Sequence, residues 1–375
     1  MPGKAEKTKK KDRMQRRDIY WLKMAFTKKR SEDIFNPKTR KGFYMKYSTP
    51  DFVTRKGIVM HKGLVPYASS LTFNAGITRF NNGYVMLFRN DYDICPKDFD
   101  DFYAGISDHT VPPTNWGLAF SSDGLDWTVA PEPFFEMSGG EIWRTYDPRI
   151  TPLPDGTYGV CFAADSHHGT RGGIGITSDF KTFEPVSFSA PENRNMVLFP
   201  EKINGRFVRL ERPFGSRRES IWLSSSPDLI HWGETKLVLG AEKVAFASNK
   251  IGPAAPPVKT SEGWLTLFHA VEVQEQPFSA WQRDWLHCYY AGAMLLDLDD
   301  PSKIIARAEV PLIVPEAEYE LHGFRGGVIF PGGVLVDGNR VRIYYGAADT
   351  VEALAEAPLD ELIRFIKNHD AENIR

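Results

Sequence analysis

Apolar and polar positions alternate in five separate stretches of the chain, each broken by a short turn containing glycine. The stretches are ITRFNNGYVMLFRND, ITPLPDGTYGVCFAAD, PEKINGRFVRLERP, PPVKTSEGWLTLFHAV and GGVLVDGNRVRIYYGAAD, with turn glycines Gly83, Gly156, Gly205, Gly263 and Gly338. Alternation of this kind lays one face of a strand on a core, and Asn-Gly or Asp-Gly supplies the positive φ that primed hairpin turns need. Five β-hairpins are therefore predicted. A further strand with a polar corner follows each of the first four: WGLAFSSDGLDWT, GIGITSDFKTFEP, IWLSSSPDLIHWG and AGAMLLDLDDPSKII. Three of these set a Ser/Thr-Ser pair ahead of an Asp and an aromatic residue, namely Trp127, Phe183 or Trp232. Ser and Asp side chains satisfy turn backbone groups, and the aromatic covers the corner.

The turn glycines recur at uneven but similar intervals, which suits a four-stranded blade with variable loops. Five such units predict an all-β fold, a five-bladed β-propeller that manages its sheet edges by radial repetition. A β-sandwich is the competing all-β arrangement, but it does not require the same unit five times. After the fifth hairpin the chain runs through VEALAEAP into a helix. There Leu359, Leu362, Ile363 and Ile366 recur at i, i+3, i+4 and i+7 behind Pro358. Residues 18–36 are a second predicted helix. The plan is thus a basic flexible tail over 1–17, a helical extension over 18–49, the propeller over 50–358 and a C-terminal helix over 359–375.

Composition narrows the function classes. With 42% hydrophobic and 25% charged residues among 375, the chain has the make-up of a folded globular protein. It holds no run of 18 apolar residues, so no membrane span is expected. A formal charge of -2 argues against nucleic acid as the partner. The cluster of Lys and Arg between Lys4 and Arg17 reads as a solvated tail or a subunit-contact arm, in keeping with a homo-oligomer. Cys95, Cys161 and Cys288 are too scattered for a disulfide framework or a zinc site, and no secretory signal precedes them, so a cytoplasmic location is expected. Neither HExxH nor a spaced His/Asp set indicates a metal, His167-His168 reads as a loop pair, and GTRGGIGIT is not a dinucleotide fingerprint.

A repeat permits a positional test, because propellers bind ligands where equivalent strands meet at the axis. Nine residues before the hairpin glycine stand Asn74 and Asp147; six or seven after it stand Arg89, Arg212 and His269. Asp349 follows the fifth hairpin. Polar groups converging in one concave place form the default site. Asp147, between Tyr146 and Pro148 and near Trp143, is a candidate general acid; capping a turn before proline is its ordinary use. Arg89 and Asp349 suit sugar hydroxyls, or an ion pair across the axis. Arg212, Lys250 and His269 sit among apolar strand residues with Arg194 close by, a pattern suited to phosphate. Pairing with Glu201 or Glu211 is the alternative.

The blocks FNAGITRF, FRND, YDPRIT, HHGTRGGIGITSDF, NRNMVLFPEKINGRFVRLERP, KIGPAAPPVKT, GWLTLFHAV, MLLDLDDPSKII and IFPGGVLVDG…YYGAADT resemble glycoside hydrolase family 130 over about residues 50–358, in particular its 4-O-β-D-mannosyl-D-glucose phosphorylase branch. The resemblance implies a propeller with an axial site and inverting phosphorolysis of 4-O-β-D-mannosyl-D-glucose to α-D-mannose 1-phosphate and D-glucose. Inorganic phosphate would be the co-substrate, with no cofactor and no metal. It implies Asp147 as the sole catalytic acid, Asn74, Arg89, Asn90, Asp91 and Asp349 as substrate contacts, and Arg194, Arg212, Lys250 and His269 as phosphate ligands. Asp91, Trp143 and Arg144 are expected on the acceptor side. The loops 92–115 and 272–290, with Phe99, Phe102, Tyr103, Trp281 and Trp285, are expected to shape the acceptor end. A phosphorylase for mannooligosaccharides or mannosyl-N-acetylglucosamine, a β-mannoside hydrolase and a non-catalytic sugar-binding propeller are the alternatives.

Overall fold

The computed structural model describes residues 46–94, 112–215, 218–278 and 285–370. The basic tail, the helix expected at 18–36, Cys95, Phe99, Phe102, Tyr103 and Trp281 lie outside them. From Tyr47 onward the chain forms one compact unit. Its strands assemble into five antiparallel sheets, the five blades of a propeller. Blade 1 comprises Leu71–Phe80, Gly83–Asp91, Thr114–Ser121 and Thr128–Val129; blade 2 comprises Ile142–Pro152, Tyr158–Ser166, Gly169–Thr177 and Glu184–Phe188. Blade 3 comprises Asn193–Leu198, Phe207–Pro213, Ile221–Ser226 and Gly233–Leu239. In blade 4 the inner position is shared by Lys250–Pro253 and Val258–Thr260, both paired with Gly263–Val273, and His287–Leu296 and Ile304–Arg307 follow. Blade 5 comprises Ile329–Asp337, Arg340–Ala347 and Val351–Pro358. The first strands of the blades pack against one another around the axis.

Blade 5 departs from the expected path. VEALAEAP is a full strand, and its outer neighbour is Thr54–Met60 from the start of the described chain. The ring is closed by pairing between the two ends of the propeller sequence. Arg55 reinforces the closure by donating from Nε to Glu320 Oε1 at 2.8 Å and from Nη2 to the Val314 carbonyl at 2.6 Å. The helix Leu359–Asn368 follows, and its Leu362, Phe365 and Ile366 are buried against blades 4 and 5.

All five hairpins are present, with one change in the turn chemistry. Asn204 and Gly205 adopt φ of 53° and 76°, the two positive values that a type I′ turn requires. In blade 1 the left-handed residue is Asn81, and Gly83 instead starts the strand, where a Cβ would collide with the Ser121 carbonyl. The corners repeat at the level of hydrogen bonds. Ser121, Thr177 and Ser226 each accept from the N–H three residues on, at 2.8, 3.0 and 2.9 Å. Asp123, Asp179 and Asp228 each accept from two further N–H groups, which hold their carboxyls below the usual range.

A second repeat lies in the core. Phe88, Phe162 and Phe268 on the second strands stand directly opposite Gly117, Gly173 and Gly292 on the third. Each ring covers its glycine so closely that a Cβ would strike it. We expect Gly173→Ala to destabilise the fold by about 1–3 kcal/mol, the usual cost of overpacking, and Gly173→Ala with Phe162→Leu to recover part of that loss. Denaturant unfolding of the two variants measures this; an unchanged midpoint for the single variant would contradict the packing.

Candidate active site

Bulges aim the axial side chains. The innermost pairing slips between Phe73 and Gly76 in blade 1, Tyr146 and Arg149 in blade 2, and Arg194 and Val197 in blade 3. Asn74, Asp147 and Asn195 occupy the slips with φ of 53°, 56° and 54°. A bulge redirects a side chain, and Asn and Asp tolerate left-handed backbone better than other non-glycine residues. Pro148, with no N–H for the ladder, falls in the middle slip. In blade 5, Ala348 and Asp349 have φ of 49° and 48° in a turn closed by the Thr350 N–H on the Ala347 carbonyl at 3.0 Å. Left-handed alanine costs about 1–2 kcal/mol, so the surrounding packing imposes this turn.

One cavity of about 440 Å³ gathers Asn74, Arg89, Asp91, Asp147, Arg194, Arg212 and Asp349 with Arg144. On one side Asp147 Oδ1 accepts from Asn74 Nδ2 at 3.1 Å and lies 3.5 Å from Arg89 Nη1. Arg89 grips both oxygens of Asp91 at 2.8 and 2.7 Å, and Thr114 Oγ1 donates to the same carboxylate at 2.7 Å. Asp165 is held by Arg144 Nε at 2.8 Å, Tyr146 Oη at 2.9 Å and Thr170 Oγ1 at 2.8 Å. Burial would raise its carboxyl, but Arg144 and these donors outweigh it and hold it below the usual range. Burial pushes the Asp349 carboxyl up, opposed by Arg325, which stands 3.6 Å away, and by Arg89. Asp91 and Asp165 are thus committed to arginines. Asp147 keeps an amide and one longer guanidinium contact.

The other side is cationic. Arg194 and Arg212 face each other directly across an antiparallel pair, a placement in which like charges repel. Arg194 Nη1 donates to Tyr146 Oη at 3.2 Å. Arg212 is buried, with Nε 2.8 Å from Glu219 Oε2 and Nη1 2.8 Å from His269 Nε2. Because the guanidinium can only donate, His269 Nε2 accepts and the ring proton sits on Nδ1. Burial, Arg212 and Lys250 keep this ring neutral, well below the ordinary histidine range. Burial and the charge of Arg194 pull Arg212 down to about 10. Burial, Arg212 and Arg194 pull Lys250 down to about 7, and Glu219 offsets only part of the effect.

Four expected residues do not form the wall. Asn90 lies on the opposite face of its strand from Arg89 and Asp91, fully buried, where Nδ2 donates to the Ala68 carbonyl at 3.0 Å and to Asn115 Oδ1 at 2.9 Å. Alternation along a strand turns it away from the cavity. His269 stands behind Arg212, and Lys250 acts on the cluster from beside it. Trp143 donates to His167 Nε2 at 2.9 Å rather than lining the cavity. The arginine partner is Glu219; Glu211 instead pairs with Arg209 at 2.7 Å and Glu201 with Lys259. Asn195, Asp165, Tyr289 and Arg325 line the cavity and were not expected there. Asn195 escaped because it lies ten rather than nine residues before its turn glycine.

The family model for glycoside hydrolase family 130, described as beta-1,4-mannooligosaccharide phosphorylase, matches residues 27–368. The chain belongs to glycoside hydrolase family 130. A beta-1,4-mannooligosaccharide phosphorylase of Ruminococcus albus is 36% identical over 265 residues, 67% of this chain and 76% of that one. A 4-O-beta-D-mannosyl-D-glucose phosphorylase of Bacteroides fragilis is 28% identical over 324 residues, 78% of this chain and 74% of that one. The solved structure of a beta-1,2-mannobiose phosphorylase from Listeria innocua in complex with beta-1,2-mannobiose superimposes with a TM-score of 0.72 at 27% identity, covering 84% of this chain and 99% of that one.

In this family 130 enzyme the cationic wall has a measurable signature. A free lysine titrates near 10.4, whereas folded Lys250 titrates at about 7. Between those values the unfolded chain binds more protons than the folded one, so stability rises with pH. Denaturant unfolding of wild type and Lys250→Met from about pH 6.5 to 10 is expected to show the wild type gaining on the variant as pH rises. A gap that does not change with pH would mean that Lys250 titrates normally.

Proposed function

We propose that the enzyme catalyses inverting phosphorolysis of a β-mannoside, with 4-O-β-D-mannosyl-D-glucose as substrate and α-D-mannose 1-phosphate and D-glucose as products. The observation that carries the reaction class is the pair of arginines held face to face beside a lysine whose charge is destabilised, opposite a carboxyl with a single, longer guanidinium contact. An inverting hydrolase needs a second free carboxylate to activate water. Here Asp91 and Asp165 are each tied to an arginine, and Asp349 stands 3.6 Å from Arg325 with its carboxyl pushed up by burial. Phosphate is an anion already, and a site that holds it in line with the anomeric carbon and offsets its repulsion replaces that base.

In this reading a phosphate oxygen attacks the anomeric carbon as its bond to the glucose oxygen breaks. Asp147 supplies the proton that the departing sugar takes up. Asn74, Arg89 and Asp349 bind the mannosyl unit, Asp91 fixes Arg89, and Arg194, Arg212 and Lys250 bind phosphate. His269 orients Arg212 from behind. Arg144, Arg325 and Trp285 belong to the acceptor end, where the Arg325 guanidinium lies 4.5 Å from the Trp285 ring centre. Glucose as acceptor rests on the ordered sequence blocks. The higher identity to the Ruminococcus albus protein favours a second reading, with mannose as acceptor on a β-1,4-mannooligosaccharide.

Sugar release measured with and without phosphate tests the reaction class, and a panel of acceptor sugars with mannose 1-phosphate tests the acceptor. Phosphate-dependent release is expected; release of mannose in its absence would point to hydrolysis. Asp147→Asn is expected to lower turnover by roughly 10²–10⁴-fold, the scale of a lost general acid, and near-normal phosphorolysis by that variant would end its assignment.

A further inference from the structure

We propose that Glu352 is a positioning residue for the Asp147 carboxyl, acting through the Asn74 bulge without touching substrate. The proposal rests on the reading of Asp147 as proton donor. Glu352 lies on the third strand of blade 5 opposite Gly346, fully buried. Its Oε2 accepts from the Ala75 N–H at 3.0 Å, the amide that directly follows Asn74. Arg149, in blade 2, takes the other side of the same segment. Its Nη1 donates to the Asn74 carbonyl at 2.8 Å and the Pro148 carbonyl at 3.1 Å, and its Nε to the Ala254 carbonyl at 2.9 Å. The left-handed residue Asn74 is therefore held through the next N–H, that of Ala75, from blade 5 and at its own carbonyl from blade 2.

The amide that results has little choice of direction. A Cβ on Gly346 would collide with Asn74 Oδ1, so the side chain lies flat on that glycine. Nδ2 is left facing Asp147 Oδ1 at 3.1 Å. Contact thus passes from blade 5 through blade 1 to the carboxyl on blade 2. Burying an ionisable group among apolar strand residues is costly, and an apolar side chain would satisfy packing alone. What the carboxyl adds is an acceptor for the bulged backbone, which the ladder leaves without one. Burial pushes Glu352 up to about 8 despite the Ala75 N–H and Arg149. A neutral acid of this shape has glutamine as its near equivalent and methionine as its apolar one.

Steady-state phosphorolysis by Glu352→Met, Glu352→Asp and Glu352→Gln, with Asp147→Asn alongside, tests the route. Glu352→Met is expected to lower kcat roughly 10–100-fold, the scale of lost ångström-level placement, with the phosphate KM within about twofold of wild type. Glu352→Gln is expected to retain kcat within about threefold, since it keeps the acceptor. Should Glu352→Met fail to fold, Glu352→Asp carries the test, because it withdraws the acceptor by one methylene; a kcat reduced more than about threefold supports the proposal. Asn74→Gly keeps the left-handed backbone and removes the amide, so adding Glu352→Asp to it is expected to cost less than about twofold more. Wild-type kcat in Glu352→Met or Glu352→Asp beside an inactive Asp147→Asn overturns the proposal and leaves the acid standing. Equal damage from Gln and Met, or full additivity with Asn74→Gly, also overturns it. An active Asp147→Asn fails the acid reading instead, and with it the premise.

Discussion

The ladder between Thr54–Met60 and Val351–Pro358 is the contact on which the rest of the molecule depends. Four blades are built from consecutive chain and could pair their own strands in isolation. The fifth cannot, because its outer strand is the first one. Until that pairing forms, blades 5 and 1 have no fixed relation, and the contact between Ile329–Asp337 and Leu71–Phe80 that narrows the axis has nothing to hold it. Glu352 sits in the strand that the ladder anchors, and Asn74 in the strand it reaches across to. The geometry around the candidate acid is therefore a property of the closed ring.

The site divides its charges instead of lacking them. A total near zero conceals a wall of arginine, with Lys250 beside it, facing a wall of carboxylates. Within the acidic wall the division continues, since Asp91 and Asp165 are neutralised by guanidinium groups while Asp147 and Asp349 face the cavity with weaker partners. Burial makes both halves costly to keep charged. The lowered lysine and the raised aspartate are two expressions of that one expense, and an anion with sugar hydroxyls complements both walls.

Much of this was legible in the chain. Period-two patterning and a turn glycine gave each hairpin, and counting from those glycines found Asn74, Asp147, Arg89 and Arg212. The count works because hairpins of equal length put equivalent residues at equal heights. It slipped at Asn195, where the hairpin is one residue longer, and it could not tell which face of a strand Asn90 occupies. Ring closure was not legible, because nothing in the local sequence of Thr54–Met60 names a partner at the far end of the propeller. Nor was Glu352, because VEALAEAP reads as the run into the C-terminal helix and the structure makes it a strand. Long-range pairing and buried polar contacts are decided by tertiary context, which periodicity does not carry.

The phenylalanine–glycine pairs have a consequence for how such a chain can drift. The same slot, one strand pair deep and facing the inner strand, holds Phe with Gly in blades 1, 2 and 4, whereas in blade 3 the residue before Arg212 is Glu211, opposite Trp222. In the three phenylalanine blades the ring occupies the space that a side chain on the facing strand would take. Exchange at these six positions is therefore constrained two at a time: a larger residue is admitted on one strand as its opposite number shrinks. Homologous chains compared blade by blade would show correlated change across the slot, and a position judged singly would look more variable than it is.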